Sequence, residues 1–498
     1  MSIEAKAKAT GPRPVTAPRL IIAGTGTGTG KTAVTCGLAR LLTRRGRRVA
    51  VCKCGPDYLD PTLLAAAAHA TPANLDLYLA DGACVRALLA RRADPADVTL
   101  IEGVMGLFDG IGTSEAASTA AVAAATDTPV ILVLDARSRA LSLAAELLGH
   151  LSLRRPTPIR GAILNRVSAK RYPALRDMLE RECGIPCLGF VPTMDEAAFE
   201  SRHLGLVPAR ELAGLDDTLD LLAQRLATTL EVDRILEVAR QAAPLVVEAG
   251  WRAPDAPGAC GPASGHGTDA ASRPRPTIAV ATDEAFCFTY PETLEALRSL
   301  GATIAPFSPI HDTALPAGAA GLVLPGGYPE LHAAALAANA AMRGAVRQAI
   351  EDGMPTVAEC GGYLYLLEAL ADPDGREHEM VGALPGRARR GGRLAHFGYA
   401  RVAPAADSLL AERGHVLLAH EFHHWQTDVE GTGLEVVRAR DGATWSEGFV
   451  SETLYAGFPH LYLAGDERAA RRLVDACRAY AARHAMGAND AEAGDAHA

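Results

Sequence analysis

Gly24-Thr25-Gly26-Thr27-Gly28-Thr29-Gly30-Lys31-Thr32 joins a short apolar run, 20–23, to a stretch, 32–43, whose apolar residues recur at helical spacing. Strand, glycine-rich loop and helix in that order make a phosphate cradle. The glycines let backbone N–H groups turn inward onto phosphate oxygens, Lys31 reaches the outer phosphates, and the Thr32 hydroxyl can ligate Mg²⁺, all at the positive end of a helix. Residues 24–32 are therefore read as an ATP-binding loop. The strict pattern of such loops has glycine at position 25, where this chain has Thr25; Gly24 instead precedes Gly30 by one extra residue.

Outward from the loop, apolar runs at 48–52, 98–101, 130–134 and 162–164 read as buried strands, and segments such as 140–151 as helices. That alternation predicts a doubly wound domain with a mostly parallel sheet. It stops within 241–276, where the Pro/Gly/Ala-rich run 254–267 has neither period nor bulky apolar residues to pack. A second alternation opens with a strand at 277–281, a helix at 290–300 and a strand at 321–324. The expected fold class is α/β with two doubly wound domains. The expected layout is a flexible leader (1–18), a nucleotide domain (19–240), a linker (241–276), a second domain (277–485) and a disordered tail (486–498).

At 498 residues and 49% hydrophobic content, each domain can bury its own core. A net charge of −9 argues against a nucleic-acid partner, although Arg44, Arg45, Arg47, Arg48 and the stretch 387–393 are local anion-attracting patches. The start lacks the hydrophobic core of a signal peptide, and no run approaches the roughly 20 apolar residues of a membrane helix, so a cytoplasmic location and no membrane partner are expected. The ten cysteines are scattered. Neither Cys52 with Cys54 nor Cys183 with Cys187 has a second pair at zinc-site spacing, so buried thiols are expected instead.

Ligands of open α/β sheets bind at the carboxyl ends of strands. Lys53-Cys54-Gly55-Pro56-Asp57-Tyr58-Leu59-Asp60-Pro61 closes one strand, making Lys53, Asp57, Tyr58 and Leu59 candidate substrate contacts and Asp57 also a candidate Mg²⁺ ligand; alternatively the aspartates cap the helix that follows. Ile101-Glu102-Gly103 closes another, and Glu102 stands where nucleotide enzymes place the acid that holds Mg²⁺ or its water. Asp109 is either a second metal-side acid or a turn residue before Gly110. Asn165, at a later strand end, either reads the adenine edge or caps a loop.

The second half carries a different chemistry. Thr356 to Glu359 reads as a strand, Cys360-Gly361-Gly362 as a tight turn, and 363–370 as a helix. A cysteine on such a turn faces a helix N-terminus, where the dipole favours its thiolate and N–H groups can receive an oxyanion. Gly361 is one candidate donor. Gly326 and Gly327, in the loop Leu324-Pro325-Gly326-Gly327-Tyr328-Pro329-Glu330, supply the others, and His460 is the candidate base for Cys360. His420-Glu421-Phe422-His423-His424 invites a metal assignment but lacks the spacing that sets two histidines on one helical face.

Three stretches, Gly55 to Pro61, Glu102 to Gly110 and Arg202-His203-Leu204-Gly205-Leu206-Val207-Pro208, resemble the signatures of the cobyrinate a,c-diamide synthase family. The loop 24–32 is similar to that of dethiobiotin synthetase. The order of glycine loop, cysteine turn and histidine resembles a class I glutamine amidotransferase domain. The resemblance implies amidation of two peripheral carboxylates of a corrin ring, with ATP, Mg²⁺ and L-glutamine and a corrinoid or related tetrapyrrole as partner; a homodimer is one assembly it allows. Many class I amidotransferases have a glutamate two residues after the histidine, where this chain has Tyr462, so a Cys360/His460 pair is implied rather than a full triad. The His420 stretch resembles one in the same family, implying a role at the glutaminase pocket or the domain interface. Cobyrinate is the expected substrate, with hydrogenobyrinate and nickel-sirohydrochlorin as sister substrates. A nucleotide-driven scaffold with an inactive second domain is the alternative of a different class.

Overall fold

The computed structural model describes residues 13–194, 201–202, 205–206, 209–247 and 275–495. The chain divides into two compact units, Met1–Ala253 and Pro254–Ala498.

The first unit is built on a seven-stranded parallel sheet. Its order is Ala73–Leu75, Val49–Cys54, Val98–Glu102, Arg19–Gly24, Val130–Asp135, Ile159–Asn165 and Cys187–Val191. Val49–Cys54, Val98–Glu102 and Arg19–Gly24 are buried at every residue. Strands covered on both faces read as unbroken apolar runs, which is why they were legible. Helices including Lys31–Arg44 and Leu215–Thr229 pack against the sheet through Val34, Leu38, Leu219 and Leu226. Ile22 and Lys53 both lie opposite Glu102. The carboxyl ends of three neighbouring strands thereby bring the glycine loop, Lys53 and Glu102 side by side.

Two corrections concern the ends of this unit. Arg13–Val15, expected within the leader, pairs antiparallel with Leu245–Val247, expected within the linker, and Val15 and Leu245 are buried. Strands of three residues carry no readable period, and their partners lie more than two hundred residues away. Arg19 clasps the same region: its buried guanidinium donates to Thr128 Oγ1 at 3.0 Å, Thr126 O at 2.7 Å and Ala243 O at 2.6 Å. The run 254–267 lies outside the described residues, as do His203, Leu204, Val207 and Pro208.

The second unit contains a six-stranded sheet in the order Thr303–Phe307, Thr277–Ala281, Ala319–Leu324, Thr356–Glu359, Leu454–Gly457 and Phe449–Val450, parallel except for the last pair. It also holds a largely antiparallel sheet that the pattern did not announce, centred on Arg387–Pro404, Leu417–Thr427 and His460–Leu461. The helix expected over 363–370 is shorter and earlier, Gly361–Leu366, because the chain enters the strand Ala369–Ala371. One helix runs Glu467–Asp495. Among the described residues, no helix is long and apolar enough to cross a membrane.

Candidate active site

In the first unit, the loop after Arg19–Gly24 turns through left-handed backbone at Gly28 (φ 76°) and Gly30 (φ 98°), which only glycine adopts at low cost. Lys31 Nζ donates to Gly26 O at 3.0 Å and Met105 O at 2.6 Å. Burial and then the charge of Lys53 lower its pKa to about 8. Thr32 Oγ1 donates to Glu102 Oε1 at 2.7 Å, and Lys53 Nζ donates to the same oxygen at 3.0 Å and to Asp60 Oδ2 at 2.6 Å. Burial opposes the charge on Lys53, but Asp60 and Glu102 more than offset this and keep it protonated. Glu102, fully buried, is pushed up to about 7 by desolvation against the pull of Lys53.

The donor set fits Mg²⁺. Glu102 Oε2 is buried without a hydrogen-bond partner among the described residues, beside the Thr32 hydroxyl that its other oxygen binds. Among the described residues no group of three or more His, Cys, Asp or Glu could hold a metal. A site of few protein oxygens, completed by phosphates and water, is the kind magnesium takes.

Other candidates are placed differently. Asp57 Oδ1 accepts from Leu59 N at 2.8 Å and Asp60 N at 2.9 Å, in the turn that leads into the helix Asp60–Ala68. Burial, then Asp60, raises its carboxyl to about 6. Leu59 is 6% exposed, while Tyr58 is half-buried. Asp109 Oδ2 accepts from Gly106 N at 2.9 Å, the turn role. Asn165 donates to Thr29 O at 2.7 Å and accepts from Arg166 N at 2.9 Å. These two bonds tie the end of the strand Ile159–Asn165 to the glycine loop and leave the amide a second N–H and a second lone pair.

In the second unit, the cysteine turn has a specific geometry. Cys360 adopts φ 46° and ψ −104°, a strained conformation for a residue with a Cβ. The turn is pinned at Cys360 N, which donates to Gly457 O at 2.8 Å. A Cβ at Gly362 would overlap the Leu324 carbonyl, and one at Gly361 would lie 3.0 Å from Gly327 N, so both glycines allow backbone segments to close in. The strand Gly326–Gly327 pairs with Phe286–Phe288, and Gly326 lies under the His460 ring, where a Cβ would be 3.3 Å from each ring nitrogen. The fold therefore gathers Cys360, Gly361, Gly326, Gly327 and His460.

Their protonation differs from the thiolate expected. Burial, reinforced by Glu330, pushes the Cys360 thiol well above its usual range, while a hydrogen bond from Gly361 N–H pulls the other way. Burial, then His420 and His423, lowers His460 to about 3. Burial thus favours the neutral form of both groups before substrate enters.

Sequence reasoning missed several buried acids. Glu330 stands near Cys360. Glu359 Oε1 accepts from Leu461 N at 3.0 Å, and burial raises its carboxyl to about 8. Glu447 accepts from Trp445 Nε1 and Phe458 N. Glu359 ends the strand before the cysteine turn and Glu330 ends the glycine loop, the one signal that pointed to them. The histidine cluster splits between two strand faces: Glu421, His423 and Trp425 are buried, with His420, Phe422 and His424 alternating between them. His423 engages Glu421 Oε1 at 2.9 Å and Trp425 O at 2.6 Å through its two ring nitrogens and stacks on Phe458, two residues before His460. It therefore has no free nitrogen for a metal and instead buttresses the approach to the base.

Residues 20–206 match the family model described as the CobQ/CobB/MinD/ParA nucleotide binding domain, and residues 277–468 that of the CobB/CobQ-like glutamine amidotransferase domain. The chain is similar to the cobyrinate a,c-diamide synthase of Dehalococcoides mccartyi, at 36% identity over 92% of this chain and 97% of that protein. Similarity to the synthase of that name from Salmonella typhimurium is 38% over 89% and 95%. To the hydrogenobyrinate a,c-diamide synthase of Thermobifida fusca it is 41% over 92% and 96%. Likeness of this extent spans both units, and the two constellations just described fall one in each matched domain: the chain belongs to the cobyrinate a,c-diamide synthase family.

Proposed function

We propose that this protein converts the a and c side-chain carboxylates of cobyrinate to primary amides, using ATP with Mg²⁺ and taking nitrogen from glutamine. The observation that supports it most is the pairing on one chain of a Thr32–Glu102–Lys53 cluster beside a glycine loop with a Cys360–His460 turn lined by Gly326 and Gly327. Each half performs what the other lacks.

A carboxylate resists ammonia because its oxygen is a poor leaving group and its charge repels attack; phosphorylation removes both obstacles. Residues 24–32 hold the triphosphate, and Lys31 and Lys53 stabilise the charge on the transferred phosphoryl group as the substrate carboxylate attacks it. Thr32 and Glu102 would hold Mg²⁺, whose charge offsets that of the phosphates when bound. In the other unit His460 takes the Cys360 proton as sulfur attacks the glutamine amide, and the oxyanion meets the N–H groups of Gly327 and Gly361. His460 then protonates departing ammonia, water hydrolyses the thioester, and ammonia displaces phosphate from the acyl phosphate.

A second reading, hydrogenobyrinate as substrate, is favoured by the 41% identity to the Thermobifida fusca protein. Mass spectrometry of cobyrinate, hydrogenobyrinate and nickel-sirohydrochlorin, each incubated with Mg·ATP and glutamine, separates them. Two successive amidations of cobyrinate support the proposal, and amidation of hydrogenobyrinate alone replaces it. ATP hydrolysis with none of the three amidated points to the scaffold reading.

A further inference from the structure

The residue two places beyond His460 is Tyr462, whose ring packs edge-on against Tyr290 with 5.0 Å between centroids. No acid stands there to orient the base. A carboxylate nevertheless lies beside the imidazole, supplied by the residue just before the nucleophile. Glu359 closes the strand Thr356–Glu359 opposite Gly457, and the chain from Gly457 leads directly to His460. Its Oε2 is 3.8 Å from His460 Nδ1, and its Oε1 accepts the Leu461 N–H at 3.0 Å. The two side chains are 12% and 1% exposed, so solvent does little to screen them.

We propose that Glu359 is the positioning residue for His460: its Oε2 accepts the Nδ1–H as Nε2 removes the Cys360 thiol proton. The inference rests on the glutaminase reading of this site. The bond to Leu461 N–H ties the carboxylate to the backbone that carries His460, so base and acid keep register. A separation of 3.8 Å exceeds a hydrogen bond, and such contacts tighten when substrate is bound. Burial alone disfavours charge on Glu359, but the imidazolium formed in the reaction favours it, so the pair carries charge together at the step that needs it. One contiguous dipeptide, Glu359-Cys360, then carries both the nucleophile and the group that orients its base.

The test compares Glu359→Gln and Glu359→Ala for glutamate release from glutamine, with ammonia-driven amidation as the internal reference. Glutamine at 359 can still accept from Leu461 N–H, but its NH₂ would face Nδ1 and hold the ring in the opposite tautomer. Glu359→Gln should therefore lower the glutaminase kcat by about 10²-fold or more while the KM for glutamine and the ammonia-driven rate stay near wild type. Both variants would then be impaired in kcat, with Glu359→Ala also less stable. A purely structural Glu359 predicts a near-normal Glu359→Gln, and that result overturns the proposal. Cys360→Ala separates the two levels: if it retains glutaminase activity, the reading of the site fails and this inference with it. If it is inactive while Glu359→Gln is normal, only the inference fails.

Discussion

Replacing Gly326 by alanine asks whether His460 acts from where the fold holds it. Gly326 does not have a positive φ, so the backbone accepts a Cβ without strain. The space does not. The added methyl would overlap His460 Cε1 and come within 3.3 Å of both ring nitrogens. Carbon atoms sit comfortably at about 3.5–4.0 Å, so the imidazole must retreat by about 1 Å. It has little room to do so, being 1% exposed, with the Phe288 ring centroid 6.3 Å away. A displacement of about 1 Å at a reacting group can lower a rate by about 10²-fold, whereas the overpacking itself costs about 1–3 kcal/mol of stability. Glutamate release should thus fall by about 10²-fold in kcat for Gly326→Ala. Amidation driven by added ammonium chloride should remain at the wild-type rate, because it does not need the base. An unchanged glutaminase kcat in a folded Gly326→Ala protein would refute this placement of His460; an equal fall in both activities would show that the substitution had damaged the fold instead.

Three further outcomes follow from the geometry. Asn165→Ala removes the 2.7 Å bond to Thr29 O, and the loosened loop should bind ATP roughly 10-fold more weakly by titration calorimetry with glutaminase activity intact. Lys53→Met leaves Glu102 and Asp60 without their shared cation, so urea denaturation should show the protein destabilised by about 3–5 kcal/mol. Burial, then Glu421, raises the Glu447 carboxyl from 4.5 to about 8, so between those values the folded protein keeps a proton that the unfolded chain releases. Its stabilising contribution is complete below the unfolded value and is lost as pH rises through the folded one, with a slope of at most about 1.4 kcal/mol per pH unit. Glu447→Gln should flatten that part of the stability profile in urea unfolding measured across this range; an unchanged slope would show that Glu447 is not its source.

The features that could be read from the chain are those carried by contiguous residues. Gly24 to Thr32 encodes its turn in its own glycines, the buried parallel strands announce themselves as unbroken apolar runs, and the cysteine turn shows in Cys360-Gly361-Gly362. Those signals were enough for the α/β class, the two kinds of domain and the family. What only the tertiary structure decided depends on groups distant in sequence. The pairing of Arg13–Val15 with Leu245–Val247 and the clasp of Arg19 onto Ala243 join ends of one unit that no local period connects. For Asp57, Asp109 and Asn165 the sequence left a ligand role and a turn or cap role open, and only the fold shows the bonds each makes to nearby backbone N–H groups or to the nucleotide loop. Cys360 reads in the sequence as a thiol at a helix end; only the fold adds the burial and the nearby Glu330 that push its pKa up. Glu359 stood in plain view beside the nucleophile, yet its approach to His460 arises only when the strand ending at Glu359 is laid beside Leu454–Gly457. Backbone propensity is local and travels with the sequence, whereas burial and charge pairing act through space and exist only once the sheets have closed.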